Sequence, residues 1–399
     1  MTAVVFTTGE TASAAKFNQL ADAADAAQTA AAGMQASADA AALSAQHASD
    51  QAVVATNAAT NTTSFATAAA SNAAAAAASA TAAGVSAVGA TGAFNVGRNK
   101  IHNAMFNVQQ RGQGPWTVAG YTADRWRAFG IHSNGSMSVT LGVLQDSQRA
   151  VIGDEEAQSS LVYVFTGGTG VGDIDGVHQF IEDVRRLAGK AVVVSFWAVA
   201  SSNLKLGVGI SQNFGNGGSP SASVNPNATS VTLSTTWTRY TVTTAFPSIQ
   251  GKTLGTNMNS SSQLTFWMSA GATWNTIAGS IGIQSGTIQL WGVQLEVGSI
   301  ATSLEKPDYQ TELAHCQRFY QTGQMFITAY GIAGAGLGVS GNYFTSMRTI
   351  PFISLTNSFS SNVSTPVLAS NIVVPSVTVT ILTTGTAVLN VGYTASADL

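Results

Sequence analysis

Between Ala12 and Ala83 the chain has no proline, and alanine dominates, with Thr, Ser, Gln and Asp interspersed. Alanine loses no side-chain entropy in a helix, so the window has the propensity for one long helix. Every third then fourth residue from Phe17 gives Leu20, Ala24, Ala27, Ala31, Met34, Ala38 and Ala41, continuing through Ala45, Ala48, Ala52 and Ala55. That is an a/d heptad series of the coiled-coil kind. In so alanine-rich a window other registers score almost as well, and a flexible Ala/Thr/Ser linker is the competing reading. A lone alanine helix would leave its seam in water, whereas alanine at a and d lets two or three helices approach closely. The reading adopted is a self-associating stem over residues 21–93, roughly 100 Å long at 1.5 Å per residue. Gly84, Gly89 and Gly92 are expected to end it, and any break is expected near Asn57 to Ser64, where Asn and Thr crowd together. Residues 1–20 are assigned to docking.

Charge is scarce. Only 9% of the 399 residues are Asp, Glu, Lys or Arg, against about 25% in an ordinary globular chain. Few charges then need desolvating where copies associate. A net charge of -3 and an isoelectric point near 5.9 provide no basic field for phosphates, which argues against a nucleic-acid partner. The single cysteine, Cys316, excludes an intrachain disulfide. Met1 to Thr8 shows neither a basic nor a long apolar region, so no signal peptide is expected. The alanine run Ala73 to Ala78 is too short to span a bilayer, and no membrane insertion is expected.

From residue 94 the pattern changes to β. Alternating runs at Ser136–Val143, Ala191–Ala200, Ser230–Thr244, Leu264–Ser269 and Thr287–Val297 lie between Gly, Asn and Ser clusters. Several short strands with turn residues between them predict an antiparallel sandwich or barrel over 94–306. One helix is expected at Gly176–Leu187, and a linking helix around Glu312–Phe319 within 307–320. Residues 321–399 carry only Arg348 and Asp398 as charges, and Val373–Leu382 and Thr386–Tyr393 read as strands. The glycines of Gly331–Gly341 suggest tight strand packing. Edges without charge invite pairing, so this region is expected to be a small β-rich tip closed by identical chains. The fold class is mainly β with an N-terminal helical stem, in an elongated homo-oligomer.

Carboxylates cluster at Asp154, Glu155 and Glu156, at Asp173 and Asp175, and at Glu182 and Asp183. Paired carboxylates serve glycoside hydrolysis, but these sit in turn-rich stretches and read as caps. The run Gly172 to Gly176 resembles a fragment of a calcium loop without its later ligands. His47, His102, His132, His178 and His315 show no metal spacing. His315 beside Cys316 reads as packing at a helix surface. No cofactor, metal or catalytic residue is assigned. All seven tryptophans lie between 116 and 291. Most are expected in the core, while Trp116 and Trp274, in Gly/Asn/Thr loops, are the candidates for stacking against sugar rings.

One ordered set of motifs spans residues 95–320. It opens with Asn103-x-x-Phe106 and Gln110-Arg111-Gly112, then Tyr121-Thr122-Ala123-Asp124-Arg125-Trp126. Gln179-x-Ile181-Glu182, Leu187-x-Gly189-Lys190 and Val194-Ser195-Phe196-Trp197-Ala198 follow, then Trp237-Thr238-Arg239-Tyr240. It closes with Trp291-Gly292-Val293-Gln294-Leu295-Glu296-Val297-Gly298, Ala301-Thr302, Glu305, and Glu312-Leu313-x-x-Cys316-Gln317-Arg318-Phe319-Tyr320. The set resembles the carbohydrate-binding-module-like jelly roll of tail-fibre and related receptor-binding proteins of tailed bacteriophages. The resemblance implies a jelly-roll fold, homotrimeric fibres and adhesion to a host-surface glycan or other receptor. It also implies synthesis in the host cytoplasm, location on the virion, and docking to other virion proteins through the N-terminus. Asp124 with Arg125 reads as a local ion pair, and Glu182 and Glu296 as acceptors for strand or loop donors. A head fibre or virion decoration is the first alternative. A polysaccharide depolymerase is the second, and a bacterial cell-surface module lacks an anchor motif here.

Overall fold

A computed structural model describes residues 14–92 and 97–399, in two units that divide after Ala83. The docking assignment for residues 1–20 lies outside them up to residue 13.

The described residues of the first unit lie in one helix, α1 (Ala14–Gly92, 79 residues), roughly 120 Å long at 1.5 Å per residue. It passes through Gly84 and Gly89 and through Asn57–Ser64 without a break. Thr56, Thr60, Thr62, Thr63 and Thr67 donate their hydroxyls to the carbonyl four residues back. That bond satisfies each hydroxyl inside the helix, so the polar crowding does not open it. Of residues 15–80 only Lys16 and Ala23 are more than superficially covered. Phe17 (62%), Met34 (69%), Val54 (67%) and Phe65 (74%) stand in water. The heptad series from Phe17 gathers Leu20 and Met34 but misses Leu43, Val53, Val54 and Phe65. A second recurrence in the same window is longer: Leu43, Val54 and Phe65 are eleven apart, as are Gln28, Asp39, Asp50, Asn61 and Asn72. Eleven residues make three turns of 3.67, a period that supercoils to the right rather than the left.

The second unit holds a sandwich and a smaller β module. The sandwich strands are β1 (Gly120–Tyr121), β2 (Trp126–Ile131), β3 (Ser136–Val143), β4 (Ser159–Thr166), β5 (Ile174–Glu182), β6 (Ala191–Ala200), β7 (Lys205–Asn213), β8 (Thr229–Thr232), β9 (Thr238–Ala245), β10 (Ser261–Ala270) and β11 (Ser285–Val297). A short helix α2 (Asp146–Ile152) joins β3 to β4, and α3 (Tyr309–Gln317) follows β11. One sheet has the order β1-β2-β5-β10-β7-β8, the other β3-β4-β11-β6-β9; all pairings are antiparallel. Alternation sets the core: Val177 and Ile181, Leu206, Val208 and Ile210, and Leu264, Phe266 and Met268 point inward from one sheet. Leu161, Tyr163, Val194, Phe196, Leu290 and Leu295 meet them from the other. Removing a side chain as enclosed as Phe266 would cost about 3–5 kcal/mol.

Two sequence assignments change. Gly176–Leu187 is not a helix but the end of β5 and a 3-10 turn at Val184–Arg186. Partners on both sides, β2 and β10, satisfy its backbone. Ser230–Thr244 is two strands, β8 and β9, which belong to different sheets; the chain crosses between them at Leu233–Trp237.

The C-terminal module contains β12 (Tyr320–Gly331), β13 (Gly336–Ser340), β14 (Phe352–Ser361), β15 (Val367–Ser370), β16 (Pro375–Thr380) and β17 (Gly385–Ser396). They form two three-stranded sheets, β12-β17-β14 and β13-β16-β15, around Met325, Val377, Val379, Leu389, Val391 and Tyr393. On the outer face Phe326 and Phe359 both pair with Asn390 and are exposed. Arg111 ties this module to the sandwich. Its guanidinium lies 3.7 Å from the Tyr320 ring centre and 2.5 Å from Asp398. Tyr121 adds a hydroxyl bond to the Leu399 carbonyl at 2.8 Å.

Candidate ligand-binding face

The parity that sends Leu264, Phe266 and Met268 inward turns Gln263, Thr265 and Trp267 to the outer face of the six-stranded sheet. Register then assembles a row: Phe129 on β2 pairs with Gly176 on β5, Gly176 with Trp267 on β10, and Trp267 with Gly207 on β7. The glycines make room for the rings. A Cβ at Gly176 would lie 2.4 Å from Phe129 Cζ, and one at Gly209 would lie 3.1 Å from Trp267 Nε1. Phe129 meets Trp267 edge-on at 5.2 Å and stacks on His178 at 5.3 Å, and Phe180 closes on His178 at 4.8 Å.

Trp274 reaches the same face from the loop after β10. The loop lies directly on Gly207, where a Cβ would meet the Ala278 carbonyl oxygen at 2.2 Å. Its own core is Ala270, Ala278 and Ile281, with Trp267 and Trp274 packed against it. The two indoles stack with centres 6.3 Å apart and planes 26° from parallel. They line a cavity of about 160 Å³ with Ser211, Asn225, Gln263 and Thr265. Gln263 accepts from Ser211 Oγ at 3.3 Å and donates to Thr265 Oγ1 at 2.8 Å. Flat apolar rings beside amides and hydroxyls suit a polyhydroxylated ligand, whose ring C–H groups pack on the indole while its hydroxyls find partners.

Trp116 lies elsewhere. Its backbone bonds both ways to Val139 at 2.9 Å, on the edge of the five-stranded sheet, and its ring packs partly on the main core. The structure therefore brings Trp274 together with Trp267, not with Trp116. The sequence reading missed Trp267; its parity against Leu264, Phe266 and Met268 was the available signal.

The carboxylates are engaged locally. Asp154 and Glu156 hold Lys306 at 2.8 and 3.2 Å. Burial would raise the Asp173 carboxyl, but bonds from the Gly170 N–H and from Ser133 keep it below its ordinary value. Asp175 bonds His132 at 2.8 Å, and burial lifts its carboxyl to about 6 against the pull of that histidine. Glu182 accepts from Arg318 at 3.0 and 3.1 Å. Glu296 accepts from the Thr302 N–H and hydroxyl, both at 2.8 Å. Asp124 and Arg125 do not form the expected ion pair. Asp124 turns to Gln110, whereas Arg125 lies on the Phe319 ring at 3.3 Å and donates to the Phe180 carbonyl at 2.6 Å. Adjacent residues here leave in opposite directions, and Arg125 stands at a positive φ of 72°. Among the described residues one cluster has the composition of a metal site, His102, Glu312 and His315, in a separate cavity.

No family model matches the chain, and no curated protein matches it. Among solved structures it is similar to the enzymatically active domain of tailspike protein 4 of bacteriophage CBA120, at 14% identity and a TM-score of 0.29. That match covers 50% of this chain and 22% of that one. A CBM4 structure is similar at 17% identity and a TM-score of 0.29, covering 50% of this chain and 99% of the other. A family 11 carbohydrate-binding module from Clostridium thermocellum is similar at 11% identity and a TM-score of 0.29, covering 46% of this chain and 95% of that module.

Proposed function

We propose that the chain is a structural and adhesive fibre subunit of a tailed bacteriophage virion. It docks through its N-terminus and holds host-surface glycan on the outer face of a jelly-roll sandwich, as a binder without hydrolytic activity. The observation that carries the glycan reading is the Phe129–Trp267–Trp274 platform, seated on Gly176 and Gly207 and flanked by Gln263, Thr265 and Ser211. The virion reading rests on the ordered motifs from Asn103 to Tyr320. Self-association, as a homotrimer, is supported by apolar groups left in water on α1 and by Phe326 and Phe359 astride Asn390. A single site with a Kd on the order of 1 mM contributes about -4 kcal/mol, and that is the affinity linkage multiplies. Three linked sites raise that by about 10²–10⁴ when all engage.

The test is a glycan array followed by titration calorimetry on the full chain. Trp267→Ala and Trp274→Ala should each abolish measurable binding, while Trp116→Ala leaves it unchanged. Binding that survives both platform substitutions refutes the assignment. Release of reducing ends from host polysaccharide would favour the depolymerase instead. A light-scattering mass of one 40.7 kDa chain would refute self-association, and imaging of labelled virions separates a tail fibre from a head fibre.

A further inference from the structure

The platform uses none of the residues around α3, where a cavity of about 650 Å³ opens between that helix and the segment Gly97–His102. We propose that His102, Glu312 and His315 bind a divalent transition-metal ion of the zinc type at this cavity, bracing the lead-in segment of the sandwich against α3. One ligand atom from each lies within 4.8 Å of the other two. Glu312 and His315 are three apart on α3, so they stand on one face of the helix. His102 comes from the other wall. Its Nδ1 is 3.9 Å from Glu312 Oε1, and the two imidazole centres are 4.7 Å apart.

The surroundings hold two of the three in place. The side chain of Gln179 bonds the His102 N–H and carbonyl, both at 2.8 Å, fixing the backbone from which the imidazole projects. The Asn103 N–H donates to Glu312 Oε1 at 2.7 Å and orients the carboxylate, as outer partners of metal ligands do. His315 is exposed; bonds of about 2.0–2.1 Å require ligand atoms roughly 3.3 Å apart, so binding would draw both imidazoles toward Glu312, His102 from its present 3.9 Å. Burial favours neutral imidazoles at both histidines, which leaves their lone pairs free to coordinate. Two imidazoles and one carboxylate are the donor set of an open zinc site, with the fourth position left to water facing the cavity. Lys100, Arg125, Arg186, Lys306 and Arg318 line the cavity and oppose a cation, against Glu182, Glu305 and Asp308 beside Glu312; Arg318 is already paired with Glu182, and Lys306 with Asp154 and Glu156.

The experiment strips the full chain with chelator, then titrates Zn²⁺ by calorimetry and Co²⁺ by visible absorption. One ion per chain, the visible band of tetrahedral Co²⁺ and a higher melting temperature with Zn²⁺ are expected. His315→Ala, at an exposed position that leaves the fold intact, should weaken binding by about tenfold or more and remove the Co²⁺ band. Glu312→Gln should do the same, with far-ultraviolet circular dichroism confirming that it folds. No saturable binding, or binding that His315→Ala leaves unchanged, would overturn the site. So would stabilisation by sulfate but not by zinc, since the Lys100–Arg186 rim would then be an anion site.

Discussion

His178 makes a test of how tightly the outer face is sealed. Its ring is 7% exposed, between Phe129 and Phe180, and Nε2 has no hydrogen-bond partner. Burial first, and then the nearby Arg127 charge, push its pKa from 6.5 down to about 3. On going from pH 7 to pH 5 the unfolded imidazole takes up a proton and the folded one does not. Stability contributed by this residue therefore falls by about 2 kcal/mol over that interval. Asp175 acts with the opposite sign: its carboxyl, raised to about 6, protonates first in the folded state and returns about 1 kcal/mol. Only a variant separates the two. His178→Phe keeps the aromatic stack and removes the buried nitrogen. Its stability should exceed that of the parent by about 2 kcal/mol more at pH 5 than at pH 7. Denaturant unfolding followed by tryptophan fluorescence reads this directly, because all seven tryptophans lie between residues 116 and 291. If parent and variant lose the same stability within about 0.5 kcal/mol, the imidazole is hydrated and the sealed-face argument fails.

Arg111→Ala should destabilise the C-terminal module by about 3 kcal/mol, because Asp398, 8% exposed, is left buried without its partner. Arg111→Ala with Asp398→Asn should recover part of that loss; additive losses in a double-mutant cycle would refute the coupling. In the stem, deleting residues 36–46 removes one eleven-residue period and keeps Asp50, Asn61 and Asn72 in phase with Gln28, so assembly measured by light scattering should persist. Deleting residues 36–42 breaks the phase and should weaken assembly; equal or better tolerance of the seven-residue deletion would restore the heptad reading.

The β3 range could be read directly because Ser136, Ser138, Thr140 and Gly142 alternate with the inward Met137, Val139 and Leu141; β6, with Val193, Trp197 and Val199 on its outer side as well, was legible from its run of valines. β5 could not. Its inner face carries Gln179 with Val177 and Ile181, and its outer face carries Phe180, so apolar residues occupy both sides and the two-residue period disappears. β7 was hidden for another reason: Gly207 and Gly209 interrupt its apolar run, and their role is to let Trp267 and the Trp274 loop lie on the sheet. Trp274 was legible as a loop aromatic, whereas Trp267 could be told from a core tryptophan only by its parity against Leu264, Phe266 and Met268. The long helix was legible from alanine alone. Its packing register was not, because alanine fits every register.

The residues that carried the resemblance and the residues of the platform are different sets. Asn103 closes its own loop by bonding the Val108 N–H and carbonyl. Gln294, Glu296 and Thr302 interlock beneath the lead-in segment, and Glu305 accepts from the Gly97 and Asn99 N–H groups. Asp124, Arg125, Glu312 and Arg318 join that segment, β5 and α3 to the start of the C-terminal module. All of these bonds except that from Gly97 are buried or half-buried, where losing one partner costs more than a surface bond would. They fix the sandwich to what precedes and follows it in the chain. Phe129, Trp267 and Trp274 contribute to none of them. A chain built this way can change its ligand by altering the outer rings and their glycine seats while the connecting network stays as it is. The motifs are thus markers of the scaffold, and the platform proposed to hold the ligand is built of side chains that no motif contains.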